Sequence, residues 1–317
     1  MNDSAATVLL AGCGDVGTAL GLRLAERGVR AVGVRRRADA LPEPIEPVSL
    51  DLTDPGEAVL PAADAVVVTL TADGRDATAY ERTYLGALRG LHLALPSDAA
   101  PRVVLVSSTG VLGGGTDGEG VTEATPPDPQ RATAHVLLAA EELAADLFPD
   151  LVIVRPAGIY GPGRTSLIER VRTATPVTHR RVTNRIHRDD LVTVLSTVLD
   201  APEPLRLLHA VDHDAAQLGD VVTHLAARLG VAVPPDNSPA GEGPLGKIID
   251  GALVHSLVPR SRWRYPTFRE GYDALLGASS PEERDADPGR ASGDAAECDA
   301  GTGRGATSNA TTESRGA

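Results

Sequence analysis

Near the start of the chain, Gly12-Cys13-Gly14-Asp15-Val16-Gly17 has the spacing G-x-G-x-x-G. It falls between an apolar run, residues 7–11, and a stretch of helical spacing, residues 16–27, closed by Gly28. In that setting Gly12 permits a tight turn, Gly14 lets backbone approach a diphosphate, and Gly17 lets the helix lie close on the strand. The helix start then offers unpaired N–H groups and partial positive charge to phosphate oxygens. Cys13 and Val16 complete the turn, Cys13 as a small filler. A carboxylate aimed at phosphate would be repelled, so Asp15 is expected to cap the helix by accepting a backbone N–H. The pattern therefore predicts a dinucleotide-binding turn rather than a glycine-rich loop without a ligand.

The end of the next apolar run distinguishes two coenzymes. A site for NAD places an acid there for the ribose 2′-hydroxyl, whereas a site for NADP places arginine against the 2′-phosphate. Here the run ends Val34-Arg35-Arg36-Arg37, with no acid before Asp39. Guanidinium groups make paired, charge-assisted bonds to phosphate, so Arg35 and Arg36 favour NADP, with NAD the alternative. Asp51 and Leu52, past a third short run, are the expected adenine-side residues. Asp51 suits either the adenine amine or a plain turn.

Such residues act only if a fold gathers them. Residues 31–35 read as a second strand and 48–50 as a third, while 65–70 and 102–107 are apolar and rich in Val, as buried strands are. Between them residues 77–95 have an amphipathic helical period. Another helix, 132–148, is stopped by Pro149 and followed by a strand at 151–155. This alternation predicts an α/β, Rossmann-type doubly wound parallel sheet, because right-handed crossovers place helices on both faces. Beyond Pro156, residues 189–199 and 218–229 have helical spacing, 207–211 strand spacing, and 234–246 the Pro and Gly content of a loop. Trp263, Tyr265, Phe268 and Tyr272 are expected to pack a small C-terminal lobe. The expected organisation is a coenzyme-binding core at 5–160, remaining sheet elements and a small substrate lobe at 161–276, and a disordered tail at 277–317. After Leu276 the chain has no Val, Ile, Leu, Met, Phe, Tyr or Trp, too little apolar area to offset the entropy of ordering.

A net charge of −13 over 317 residues disfavours nucleic acid, whose phosphates call for a basic face. No apolar run approaches the roughly 18 residues of a membrane span. The start, Met1-Asn2-Asp3-Ser4, lacks the basic opening of a secretory signal. Cys13 and Cys298 cannot build a disulfide framework. The histidines show no metal-ligand spacing, so no metal site is expected. A cytoplasmic protein acting on a small molecule, with a homodimer as its one expected partner state, fits these features. Lys247 is the one lysine, so any chemistry that needs lysine must use it.

Four further segments carry a family resemblance. They are Val106-Ser107-Ser108-Thr109-Gly110-Val111-Leu112-Gly113, Arg155-Pro156-Ala157-Gly158-Ile159-Tyr160-Gly161-Pro162-Gly163-Arg164, Arg185-Ile186-His187-Arg188-Asp189-Asp190-Leu191 and Tyr265-Pro266-Thr267-Phe268-Arg269-Glu270-Gly271. With the glycine turn, they resemble the extended NAD(P)-dependent epimerase/dehydratase branch of the short-chain dehydrogenases/reductases, most of all its YeeZ-like atypical subgroup. The resemblance implies that Ser108 is the catalytic serine and that the segment from Arg155 to Arg164, with Pro156 and Tyr160, borders the nicotinamide and the substrate. It also implies that Arg185 and His187, with Asp190, bind an anionic or hydroxylated substrate. Equally, His187 and Asp190 suit an internal hydrogen-bonded pair that positions the next helix. Residues 113–120, with Gly114, Gly115 and Gly118, are expected to form a mobile loop at the mouth of the cleft.

The family's Tyr-x-x-x-Lys pair is missing. Thr133 stands at the tyrosine position and Leu137 at the lysine position. Four residues after Tyr80, Tyr84, Tyr160, Tyr265 and Tyr272 come Tyr84, Leu88, Arg164, Arg269 and Leu276, so the pair occurs nowhere in the chain. The expected function is an NADP(H)-dependent oxidoreductase or epimerase-like enzyme on a sugar-like or carbonyl substrate, with Ser108 polarising the oxygen and water or Tyr160 handling the proton. A non-catalytic NADP(H)-binding redox sensor or interaction module is the rival expectation.

Overall fold

A computed structural model describes residues 6–114, 120–201 and 205–278. The chain opens with β1 (Thr7–Ala11), α1 (Asp15–Glu26), β2 (Arg30–Arg35), β3 (Glu46–Ser49) and β4 (Ala65–Val68). The helical run expected over 77–95 is present as α2 (Ala77–Tyr80), a π-helical stretch (Glu81–Gly86) and α3 (Ala87–Ala94). Next come β5 (Arg102–Val106), a 3-10 turn (Thr109–Val111), β6 (Gly120–Val121), α4 (Ala132–Leu147) and β7 (Leu151–Pro156). Past Pro156 lie β8 (Gly158–Tyr160), α5 (Ser166–Arg172), β9 (Val182–Thr183), β10 (Arg185–His187) and α6 (Arg188–Leu199). The chain finishes with β11 (Leu207–Ala210), β12 (Ala216–Gln217), α7 (Leu218–Leu229), β13 (Ile248–Ile249), α8 (Ala252–Leu257) and α9 (Phe268–Ala278).

Seven strands pair in the order β11-β7-β5-β4-β1-β2-β3, each pair parallel. The order reverses between β1 and β4, which is where such sheets open a crevice at their carboxyl ends. Alternation along β1 sorts the two faces. Val8 and Leu10 join a core with Leu20 and Leu24 of α1 and Leu191 and Leu195 of α6. Leu9 and Ala11 join the opposite core, with Leu88 and Leu91 of α3 and Ala140 and Ala144 of α4. A third cluster, built on Tyr160, Phe268 and Tyr272 with residues of α5 and α7, is the core of the lobe. Trp263 packs instead into the sheet-side core, its indole N–H donating to Val258 O at 3.0 Å.

Several short elements beyond Pro156, among them α5, α8 and β8 to β10, have too few residues for a periodicity to show, and the lobe's packing defines them. The last helix includes Gly277, so the expected tail begins later than its composition suggested; its remaining residues, 279–317, lie outside the described residues. So do residues 115–119 of the expected cleft loop. Among the described residues no helix is long and apolar enough to cross a membrane.

Two polar devices fix this frame. On α4 and β7, Glu141 and Arg155 pair through two hydrogen bonds, at 3.0 and 2.6 Å, with side chains 4% and 5% exposed. Ser107 of the loop after β5 donates to the same carboxylate at 2.5 Å, so one acid ties three elements beneath the crevice. The second device starts α6. His187 Nδ1 accepts the Asp189 N–H at 3.1 Å, an N-cap made by imidazole. The expected pairing of His187 with Asp190 does not occur. The Asp190 carboxylate turns the other way and accepts the backbone N–H groups of Arg264 (2.7 Å) and Tyr265 (2.9 Å), anchoring the segment that leads into α9.

Both devices give measurable consequences. Glu141→Ala leaves a buried guanidinium without its counter-charge and is expected to lower unfolding free energy by about 3–5 kcal/mol in urea denaturation. A loss under about 1 kcal/mol would mean that the pair contributes little. Burial pushes the His187 imidazole down to about 4 from its ordinary 6.5. Between those values the unfolded chain takes up a proton that the folded chain refuses, so stability is full above the upper value and falls as the solution is acidified. His187→Asn keeps a capping acceptor without titrating. Its unfolding midpoint is expected to fall less than that of the wild type between about pH 7 and about pH 4.5; equal slopes would refute this.

Candidate functional site

The glycine turn sits at the reversal point of the sheet and is pinned from two sides. The N–H groups of Gly12 and Cys13 donate to Val34 O of β2 at 2.9 and 3.0 Å, and Thr69 Oγ1 donates to Gly12 O at 3.1 Å. Gly12 has φ +76°, which a side chain disfavours. A Cβ on Gly17 would stand 2.9 Å from Thr69 Oγ1, so α1 lies against the end of β4 only because that residue is glycine. At Gly14 an added Cβ meets nothing nearer than 3.8 Å, which leaves the backbone open to a ligand. Thr18 N–H donates to Gly14 O at 2.8 Å, and the first-turn N–H groups ahead of it have no intrahelical acceptor. This cradle has the shape and donors a diphosphate needs. Val16 is buried in the sheet-side core below it. Cys13 is fully buried, and burial pushes its thiol up, which suits filling rather than redox chemistry.

Asp15 does not cap the helix. Gly14 is the N-cap and has no side chain to offer; Asp15 is the first helical residue and reaches outward. Its Oδ1 accepts from Arg188 Nη1 at 2.8 Å, and its Oδ2 from Arg164 Nε and Nη2, both at 3.3 Å. Neither arginine belongs to the glycine pattern, and the sequence hinted at them only through the segments that contain them. A cleft of about 440 Å³ opens here, lined by Gly14, Asp15, Thr18, Arg35 and Arg188 among others.

Arg35, half-buried, reaches back across the turn with Nη1 3.4 Å from Cys13 O. Arg36 is exposed, its Nη1 3.7 Å from Asp73, an acid that also holds Arg82. Asp51 Oδ1 accepts both the N–H and the hydroxyl of Thr53, at 2.9 and 2.7 Å, and these bonds hold its carboxyl below the usual range. That is a turn-closing role. Leu52 is buried in the core beneath.

Across the reversal point, Ser108 follows β5 in extended backbone and caps the 3-10 turn, its Oγ accepting the Gly110 N–H at 3.0 Å. Thr109 Oγ1 donates to Pro156 O at 3.3 Å, so the ends of β5 and β7 are stitched together with Ser108 and Pro156 side by side in the fold. Lys247 reaches this turn from the segment before β13. Its Nζ donates to Thr109 O (3.0 Å), Leu112 O (3.2 Å) and Gly113 O. The one lysine thus holds the Ser108 turn through backbone carbonyls.

Tyr160, Arg185 and His187 gather elsewhere, at the base of the lobe. Tyr160 and His187 face each other in the parallel β8–β10 pair, with ring centroids 5.2 Å apart. The Tyr160 ring also packs on Tyr272 at 4.8 Å, its hydroxyl donates to Thr267 O at 3.3 Å, and burial pushes the phenol's pKa well above the ordinary tyrosine value. A phenol so enclosed packs the lobe and is in no position to give a proton to a ligand. Arg185 is 7% exposed and bonds to the carbonyl and hydroxyl of Thr183. The His187 ring is committed to its helix cap and packs against Tyr265, the ring centroids 4.0 Å apart and the planes tilted by 53°. Among the described residues no group of His, Cys, Asp and Glu side chains is arranged to hold a metal ion.

Known proteins resemble this chain in sequence and fold. The profile of the NAD(P)H-binding family matches residues 12–202. The protein YeeZ of Escherichia coli K12 is 29% identical over 263 residues, covering 78% of this chain and 92% of its own. A structure from Methylobacillus flagellatus, described as an NAD-dependent epimerase/dehydratase, is 31% identical with a TM-score of 0.71, spanning 87% of this chain and 99% of that one. A human epimerase family protein solved with NADPH shares the fold, with a TM-score of 0.68 at 19% identity over 86% of this chain and all of its own (100%). With the pinned glycine turn, the reversal-point crevice and these relatives together, the chain belongs to the NAD(P)H-binding family, as a YeeZ-like atypical member of the short-chain dehydrogenases/reductases.

Proposed function

We propose that the chain is an NADP(H)-dependent oxidoreductase acting on a small carbonyl or sugar-like substrate. The observation that carries this reading is the hydrogen bonding of Ser108. Its oxygen accepts from Gly110 N–H, and among the described residues no acceptor is paired with its own proton. The hydroxyl is thereby poised to donate outward, beside Pro156, to an oxygen that gains negative charge. The coenzyme, when bound, supplies the hydride. The chain's part is to orient, to polarise the carbonyl through Ser108, and to hold the Ser108 turn rigid through Lys247 and Thr109. With Tyr160 enclosed and no Tyr-x-x-x-Lys pair in the sequence, the proton comes from water by way of the Ser108 hydroxyl. Arg35 over the turn and the absence of an acid at the end of β2 support the choice of coenzyme.

A sensor that binds NADP(H) without turnover is the second reading, and Thr133 and Leu137 favour it, since neither serves as a general acid or grips a ribose. Two measurements separate the possibilities. Titration of coenzyme fluorescence is expected to give NADPH an affinity about tenfold or more above NADH, and Arg35→Met is expected to erase the difference. Equal affinities in the wild type would overturn the NADP assignment. NADPH oxidation over a panel of aldehydes, ketones and sugar nucleotides is expected to reveal a substrate whose kcat falls about a hundredfold in Ser108→Ala, with NADPH affinity unchanged. Tight NADPH binding with no turnover across the panel would overturn the enzyme in favour of the sensor.

A further inference from the structure

Asp15 raises a question that the glycine pattern leaves open: why a carboxylate stands where a diphosphate is to bind. Its partners supply the answer. The Arg164 and Arg188 side chains are only 16% and 21% exposed, against 38% for Asp15. Arg188 opens α6 and also pairs with Asp189 at 2.8 Å. Arg164 ends a turn after β8, its N–H donating to Gly161 O at 3.0 Å, with Gly161 and Gly163 at φ +146° and +79°. Backbone geometry therefore delivers both guanidinium groups to the start of α1. The far ends of the same two helices are tied as well, Arg27 donating to Ser196 Oγ at 2.6 Å and to Asp200 at 2.7 Å. The separation of Asp15 from Arg188 is thus set at both ends of the α1–α6 contact.

We propose that Arg164 and Arg188 form a clasp for the coenzyme diphosphate, and that Asp15 holds the two groups in place until the coenzyme arrives. The proposal rests on the coenzyme reading above and adds to it two residues from the second half of the chain. Guanidinium forks bind carboxylate and phosphate with the same planar geometry, so one anion replaces another without rebuilding the site. The exchange favours the diphosphate. Asp15 offers two oxygens to two forks, and Arg164 shares a single oxygen through two bonds of 3.3 Å, long for charge-assisted pairs. A diphosphate lying on the Gly14 cradle brings more oxygens and more negative charge to the same cleft that Arg188 lines. The two cations also offset the repulsion that Asp15 alone would impose on it. Because the diphosphate is common to NADH and NADPH, the clasp serves both coenzymes equally, unlike Arg35.

The test is titration of NADPH and NADH against the full chain and its Arg164→Met, Arg188→Met, Arg188→Lys and Arg35→Met variants, with thermal unfolding to confirm that each is folded. Arg164→Met and Arg188→Met are expected to weaken both coenzymes by the same factor, about tenfold or more, with Arg188→Lys intermediate. Arg35→Met is expected to weaken NADPH alone. Wild-type affinity in both methionine variants would overturn the clasp, as would a loss confined to NADPH. A wild-type chain that binds neither coenzyme would remove the coenzyme reading itself and the clasp with it.

Discussion

The loop that turns β1 into α1 sets the position of nearly everything described above. Two N–H groups of that loop are bonded to the end of β2, its carbonyl accepts from Thr69 past the end of β4, and Gly17 lets the helix settle against that same threonine. Three strands are thereby locked to one helix at the place where the sheet order reverses. The direction of α1 then fixes how α6 lies beside it, and with α6 the place of Arg188. A bulkier residue at position 17 would push α1 off the strand and shift the helix start, its N–H groups and its arginine neighbours together.

A second constraint lies one layer deeper. The buried pair of Glu141 and Arg155, joined by Ser107, holds α4 against β5 and β7 just below the crevice. One helical turn earlier on α4, Leu137 packs into the apolar core. The helix therefore serves as a support, its inner face apolar apart from Glu141. Above it, at the end of β5, lie a serine hydroxyl fixed by backbone and a turn held by Lys247.

The central sheet was legible in the sequence because buried parallel strands are short, continuous apolar runs and the helices between them keep a 3.6-residue period. Expected and observed edges of these elements differ by one or two residues, as with the strand expected over 65–70, which ends at Val68, where Thr69 and Leu70 lie against the glycine loop. Past Pro156 the pattern weakened, since strands of two or three residues carry no period. There the lobe core of Tyr160, Phe268 and Tyr272 decides the shape through packing alone.

Chemistry divided along the same line. The residue types of the glycine turn, the arginines after β2, Ser108 and the absent Tyr-x-x-x-Lys pair are properties of the chain read in order, because each depends on neighbours within a few positions. Direction and partnership are not. Asp15 had two local options, a cap or a repelled charge, and takes neither because Arg164 and Arg188 arrive from about 150 and 170 residues away. His187 and Asp190, three residues apart, act on different elements because the backbone turns the imidazole to α6 and the carboxylate to the segment before α9. Spacing along the chain determined which groups exist and which fold carries them; only the folded packing decided which way each one points, since charge pairing and burial act through distances that sequence separation does not encode.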